Sequence, residues 1–140
     1  MAATFDSKRC VAYRLPGDWI VIAGRTAADN EFVSLKLSSP RDWWFHVRGM
    51  PGSHVILRDR EAEEADSDVL KAAAAIAAFH SKARGGGVVA VSCTKAQNVS
   101  KARSTKTGTV NIKKERVLKV RPVDRDSLEA MKEPDYTEQT

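Results

Sequence analysis

Several things are scarce in these 140 residues, and each scarcity excludes something. There are two cysteines, Cys10 and Cys93, with no CxxC and no Cys/His metal spacing. They read as buried, unpaired thiols of a reducing compartment rather than as a disulfide framework. No apolar run approaches the ~18 residues that cross a bilayer. The opening segment MAATFDSKRC has no apolar stretch of the kind that makes a signal peptide, so the expected location is the cytoplasm. Histidine occurs three times, never as HExxH, and no GxSxG is present. The single glycine run, Gly85-Gly86-Gly87, lies after a helical stretch and before a strand. A phosphate loop needs the reverse order, so the glycines read as a helix stop.

Acid is scarce in one place only. From His80 to Arg121 there are eleven Lys/Arg and a single acid, Glu115. Asp59–Asp68 holds six acids and one Arg, and Pro122–Thr140 six acids against Arg125 and Lys132. A net charge of +5 thus hides a strongly basic third between acidic flanks, the footprint of a phosphate-rich partner. A solvated face without a partner more often mixes its signs.

The chain is centred on Arg41–Arg58, RDWWFHVRGMPGSHVILR. Period-two alternation on both sides of Gly49-Met50-Pro51-Gly52 predicts two antiparallel strands. At least two of Trp43, Trp44 and Phe45 should fill the core. Before them come strands Cys10–Leu15 and Trp19–Ala23 around the turn Pro16-Gly17-Asp18. A helix follows, capped by Thr26, running to Leu37 with Phe32, Leu35 and Ala28 on one face. Ser38-Ser39-Pro40 stops it. After a charged loop, Asp66 or Ser67 caps an Ala-rich helix, Asp68–Ala83, whose Val69, Ala72/Ala73, Ile76 and Phe79 should meet a sheet. Val88–Cys93 is a strand. Thr94–Gly108 carries many hydroxyls and cations with only Val99 as a large apolar group, which predicts a mobile loop. Thr109–Ile112 and Val117–Val120 should form a terminal hairpin, and the tail should be frayed apart from a helical turn at Ser127–Lys132.

The expected class is therefore α+β: one domain with a mostly antiparallel sheet and two packed helices, spanning 1–121, with a flexible acidic tail at 122–140. The cations of the loop and hairpin, Lys95, Lys101, Arg103, Lys106, Lys113, Lys114 and Arg116, are the expected RNA contacts. Arg48, His54 and Arg58, near the central turn, form a second set. RNA is favoured over duplex DNA because no recognition helix is evident. His46 and His54 flank the turn and could meet if the register allows, with Asp42 nearby, which is the alternative of a metal- or histidine-dependent hydrolase or nuclease. Neighbours on a strand point apart, so Ser53-His54 is no nucleophile–base pair. A third possibility is a protein-docking module with an acidic partner.

Asp42-Trp43-Trp44-Phe45-His46 followed by Pro51-Gly52-Ser53-His54-Val55-Ile56 resembles the signature of the NFACT-R domain, the RNA-binding C-terminal module of the RqcH/NFACT ribosome quality-control proteins. Gly24-Arg25-Thr26-Ala27 with Asn30-Glu31 is similar to the family's Gly-Arg-Asn-Ala…Asn-Glu, with Thr26 in place of Asn. Ala73–Lys82 and the Lys/Arg-rich stretch from Val99 to Val110 also resemble it, with Thr107 where Pro is usual. The resemblance implies an RNA-binding, non-catalytic module without cofactor, metal, membrane or small-molecule substrate. Its partners would be RNA, most readily tRNA, and the large ribosomal subunit in stalled-ribosome rescue. The N-terminal NFACT domain, helix–hairpin–helix module and coiled coil of full-length members are not in this sequence, which implies a stand-alone module or a separately made part. The acidic tail could cover the basic face when RNA is absent.

Overall fold

The computed structural model describes residues 3–103 and 106–138. Its centre is a six-stranded antiparallel sheet in the order β1-β2-β4-β3-β5-β8, formed by β1 (Cys10–Leu15), β2 (Trp19–Gly24), β3 (Trp43–Val47), β4 (Val55–Leu57), β5 (Val89–Lys95) and β8 (Arg116–Val120). A two-stranded ribbon of β6 (Val99–Lys101) and β7 (Val110–Ile112) lies apart from it. The central strands read as expected. Trp43 pairs with Leu57, Trp44 with Ile56 and Phe45 with Val55.

Alternation along these strands builds two cores rather than one. Val21, Ala23, Phe45, Val47, Val55 and Leu57 face α2 (Ser67–Phe79). Ala12, Ile22, Trp44 and Ile56 face the other way, toward Phe32, Val33 and Leu37. Successive side chains on a strand point to opposite faces, so covering both faces buries all of β4 and most of β1, β2 and β5. Trp44 and Phe45 are fully buried, one on each side, while Trp43 is half-buried. Cys10 and Cys93 are buried and free, and burial pushes both thiols up to about 12.

The first helix begins as expected, with a Thr26/Asp29 capping box. Its course then departs from the single helix to Leu37. Regular α1 (Ala27–Phe32) opens into a π-helical segment, Val33–Leu37, where the Ser38 N–H donates to the Val33 carbonyl at 3.1 Å. The wider turn rotates the buried face. Asp29, Phe32, Val33, Ser34 and Leu37 are buried, whereas Ala28 is exposed and Leu35 only half-buried. Helix α2 is capped by Asp66 and ends at Phe79, four residues short of Ala83. Ser81 Oγ donates to the Ala78 carbonyl at 2.7 Å, and the His80 carbonyl accepts the Ser53 N–H at 2.8 Å, so the helix is stopped by tertiary bonds before the glycines.

Three further expectations are corrected. Thr94–Gly108 is not a plain loop. It contains the end of β5, a 3₁₀ turn (Ala96–Asn98) and β6. Its Ser104 and Thr105 lie outside the described residues. Pairing with β7 supplies the burial that the stretch lacks by itself, because Val99, Val110 and Ile112 pack together on the Trp44 core. Second, β7 and β8 do not form a hairpin. Their apolar sides belong to different cores: Val110 and Ile112 go to the Trp44 side, Leu118 and Val120 to the α2 side, and β8 pairs with β5 instead. Third, the acidic segment expected to be flexible packs on the body. It holds a third helix, α3 (Arg125–Met131), whose Leu128 is buried in the α2 core. Tyr136 sits edge-on to Phe5 at 5.1 Å, and Glu138 bonds the Phe5 N–H and Arg58. An apolar helix face and one half-buried ion pair dock the segment.

Candidate functional site

The Pro51–His54 turn is held from three directions. Asn30 of α1 accepts the His54 N–H on Oδ1 (3.0 Å) and donates through Nδ2 to the Gly52 carbonyl (3.4 Å). Ser53 Oγ donates to the Gly24 carbonyl at 2.7 Å. Gly52 forms a bridge with Ser81 at the end of α2, so close that a Cβ on Gly52 would lie 2.9 Å from the Ser81 Cβ. Opposite, Gly108 takes φ +87°, a left-handed conformation suited to glycine, and its N–H donates to Glu31 Oε2 at 2.9 Å. Lys101 Nζ reaches the other oxygen of Glu31 at 2.6 Å.

Between the turn and the 106–110 segment lies a cleft of about 450 Å³. Trp44, His46, His54 and Ser92 form its wall, and Arg48 and Lys106 its charged lining. The register that pairs Phe45 with Val55 brings His46 across from His54, and their rings stand 5.1 Å apart at 75°. Ser34, carried on the π-helical turn, connects the wall to the core. Trp44 Nε1–H donates to Ser34 Oγ at 2.8 Å, and Ser34 Oγ lies 2.7 Å from His54 Nδ1. Ser34 Oγ accepts from Trp44, so the arrangement that satisfies every group has Ser34 donating its own proton to His54 Nδ1 and leaves Nε2–H as the donor end of the ring. Burial, then the neighbouring His46, pushes His54 down to about 4, and burial lowers His46 as well. Both imidazoles are therefore neutral at pH 7. Glu115 holds Arg48 at 3.2 Å and accepts from Ser92 Oγ.

The expected RNA contacts are distributed over several sites. Lys106, Arg48 and His54 meet at the cleft. Lys101 is paired with Glu31. Lys95 bonds Glu64 and the Arg41 carbonyl and lies over the Trp43 ring at 4.3 Å, with Arg116 on the same ring at 5.6 Å. Lys113 and Lys114 are exposed in the turn between β7 and β8, and Arg103 is exposed beyond β6. Arg58 is not at the turn. It is half-buried at the far end of the β3–β4 pair, donating to Asp42 (2.8 Å), Glu138 (2.7 Å) and the Leu37 carbonyl (3.0 Å). Asp42 stands there with it and so does not join the two histidines. Among the described residues no group of three or more His, Cys, Asp or Glu could hold a metal ion.

The tail does not cover the basic stretch either. Among the described residues its ion pairs are Glu133 with Arg14 and Glu138 with Arg58. Sequence reasoning missed Ser34, whose signal exists only once the π-helical turn is known, and it noted Asn30 in the Asn30-Glu31 motif without giving it a role at the turn. It also passed over Arg25, Lys82 and Arg84, which line a second cleft beside the first.

An α+β domain with a cleft lined by Arg48 and Lys106 and walled by neutral imidazoles has the make-up of a nucleic-acid-binding module. The description "NFACT protein RNA binding domain" matches residues 9–114, and the chain belongs to that family. It is 31% identical over 118 residues to "Rqc2 homolog RqcH" of Streptococcus suis, covering 83% of this chain and 20% of that protein. Against the Bacillus subtilis protein of the same name the identity is 32% over 112 residues, 80% of this chain and 19% of the relative. The chain thus spans about a fifth of the length of these relatives. The solved C-terminal part of the fibronectin/fibrinogen-binding protein of Streptococcus suis superposes with a TM-score of 0.81 at 29% identity, over 89% of this chain and 49% of that one.

Proposed function

We propose that this domain binds RNA, tRNA in particular, as a non-catalytic and cofactor-free module of ribosome quality control, acting in the cytoplasm on or near the large ribosomal subunit. The observation that carries the reading is the cleft itself: Arg48 and Lys106 line it, no Asp or Glu does, and its wall offers a neutral imidazole donor. In this reading the two cations take backbone phosphates, while His54 Nε2–H and the His46 ring meet an unpaired base or a ribose hydroxyl. Lys101, Lys113, Lys114 and Arg103 add longer-range attraction. Lys95 and Arg116, spread over Trp43, form a separate cationic patch. The hydrolase alternative keeps the His46/His54 pair but loses Asp42, which Arg58 engages at the other end of the strand pair.

The test is fluorescence anisotropy of labelled tRNA and of a duplex DNA of equal length, at several salt concentrations, for wild type and Arg48→Ala/Lys106→Ala. Tighter binding of tRNA than DNA is expected, with a salt slope shallower by about 1.5 in the variant. Equal binding of both nucleic acids, unaffected by the substitutions, would refute the assignment.

A further inference from the structure

Beside the first cleft lies a second, of about 550 Å³, separated from it only by a saddle of Ala27, Asn30, Pro51 and Gly52 that lines both. Arg25, Lys82 and Arg84 line this second cleft, and no Asp or Glu does. All three are exposed. Elsewhere cations are commonly matched by acids: Arg9 by Asp29, Arg14 by Glu133, Lys95 by Glu64, Lys101 by Glu31. Arg25, Lys82 and Arg84 make no ion pair among the described residues, although Arg84 lies over the Phe79 ring at 5.0 Å.

The three are gathered by chain segments that cannot easily part. Arg25 follows β2 and precedes the α1 cap, Lys82 and Arg84 follow the end of α2, and the Gly52–Ser81 bridge ties these ends to the central turn. Two of the three charges act on one nearby side chain. His80, half-buried and 2.8 Å from the Tyr13 hydroxyl, is pushed down to about 4 by its desolvation first and then by Arg84, Arg25 and Lys132. Like charges held together without a counter-charge repel one another, and an anion relieves that repulsion.

We infer that Arg25, Lys82 and Arg84 form a second phosphate-binding surface that carries the RNA strand onward from the first cleft across the Asn30–Gly52 saddle. The inference rests on the RNA-binding reading and extends it. The bound segment is single-stranded and longer than one nucleotide: one part lies against the histidine wall, and the neighbouring phosphates lie on this triad. The triad engages phosphates whatever the base sequence.

Fluorescein-labelled oligouridylates of 3 and 12 nucleotides, titrated at three salt concentrations, separate the two surfaces. Four proteins are compared: wild type, Arg25→Gln/Lys82→Gln/Arg84→Gln, Arg48→Ala/Lys106→Ala, and the equally charged control Lys36→Gln/Lys71→Gln/Lys119→Gln. Thermal melts confirm folding. The expected result is that the Arg25/Lys82/Arg84 variant loses most of the affinity gained from 3 to 12 nucleotides, with a salt slope shallower by about 2. The control should behave as wild type. Unchanged 12-mer binding in that variant, alongside a loss in the Arg48/Lys106 variant, overturns this inference and leaves the first cleft standing. An equal loss in the control overturns it too, since the charge would then act generically. Failure of wild type to bind either oligonucleotide overturns both readings.

Discussion

Lowering the pH from 7 to 5 should destabilise this fold through two histidines that neither coordinate metal nor face an acid. His54 and His80 are both pushed down to about 4, chiefly by burial. In the unfolded chain the same imidazoles titrate near ~6.5. Between those values the unfolded state binds protons that the folded state refuses, so stability is full above about 6.5 and falls as pH drops toward 4. Each imidazole then removes roughly 2 kcal/mol between pH 7 and 5, about 4 kcal/mol for the pair. His46, lowered in the same direction, adds to the effect. The carboxylates act elsewhere on the scale. Asp29, Glu31, Asp124 and Glu138 are all lowered, so what they contribute is present above the ordinary carboxylate range and is lost only below about 4. Against a total of about 5–15 kcal/mol for a domain, the histidine loss is large. Urea denaturation followed by far-UV circular dichroism at pH 7, 6 and 5 measures it, and His80→Gln should roughly halve the pH dependence. A wild-type midpoint unchanged from pH 7 to 5, or the same dependence in His80→Gln, would refute the reasoning.

Gly52→Ala drives a Cβ to within 2.9 Å of the Ser81 Cβ and 3.1 Å of the His80 carbonyl. Neither neighbour is a flexible chain end, so a cost of about 1–3 kcal/mol is expected in thermal unfolding, together with weaker RNA binding. Arg58→Met strands the Asp42 carboxylate, which is 1% exposed and keeps only the Ser39 and Asp59 N–H groups. It should cost about 3 kcal/mol at pH 7 and expose the 122–138 segment to protease, with Asp42→Asn in the same chain restoring part of the stability. Ser34→Ala leaves the Trp44 Nε1–H buried without an acceptor, at about 1–3 kcal/mol. Nitrogen-15 spectra of the His54 ring should show Nε2–H alone in wild type and a mixture in the variant. An Nδ1–H tautomer in wild type would contradict the Ser34 relay.

Legibility in the sequence followed how local each feature is. The Trp43–Leu57 strand pair, the Thr26 and Asp66 caps and the Pro16-Gly17-Asp18 turn are written in adjacent residues, and each stands where the pattern put it. What failed depended on partners distant in sequence. Val110 and Ile112 alternate just as Leu118 and Val120 do, but alternation does not say which face of a two-sided sheet an apolar row will join. Arg58 follows a strand beside the turn in sequence, yet an antiparallel pair carries residues 42 and 58 to its far end, where three acceptors engage the guanidinium. The end of α2 was misplaced because alanine propensity extends to Ala83, while the bonds that stop the helix come from Ser53 and Gly52, some thirty residues earlier in the chain.

The same logic explains why charge counting found the partner class before the surface. Cations in the His80–Arg121 stretch are dense, and density alone points toward phosphate. Yet strand pairing disperses them: Lys95 and Arg116 go to Trp43, Lys101 to Glu31, and Lys113 and Lys114 to a turn. What gathers cations into one place is instead the Pro51–His54 turn, against which β2, α1, the end of α2 and the 106–108 segment all converge. Arg25, Arg48, the Lys82/Arg84 pair and Lys106 come from four separate points of the chain. The neutral histidine wall lies between them. A protonated wall would add more attraction for phosphate but no discrimination among bases. Keeping His46 and His54 uncharged leaves attraction to the rim and lets the wall act by hydrogen-bond geometry, so single substitutions at the two places should separate salt dependence from base preference.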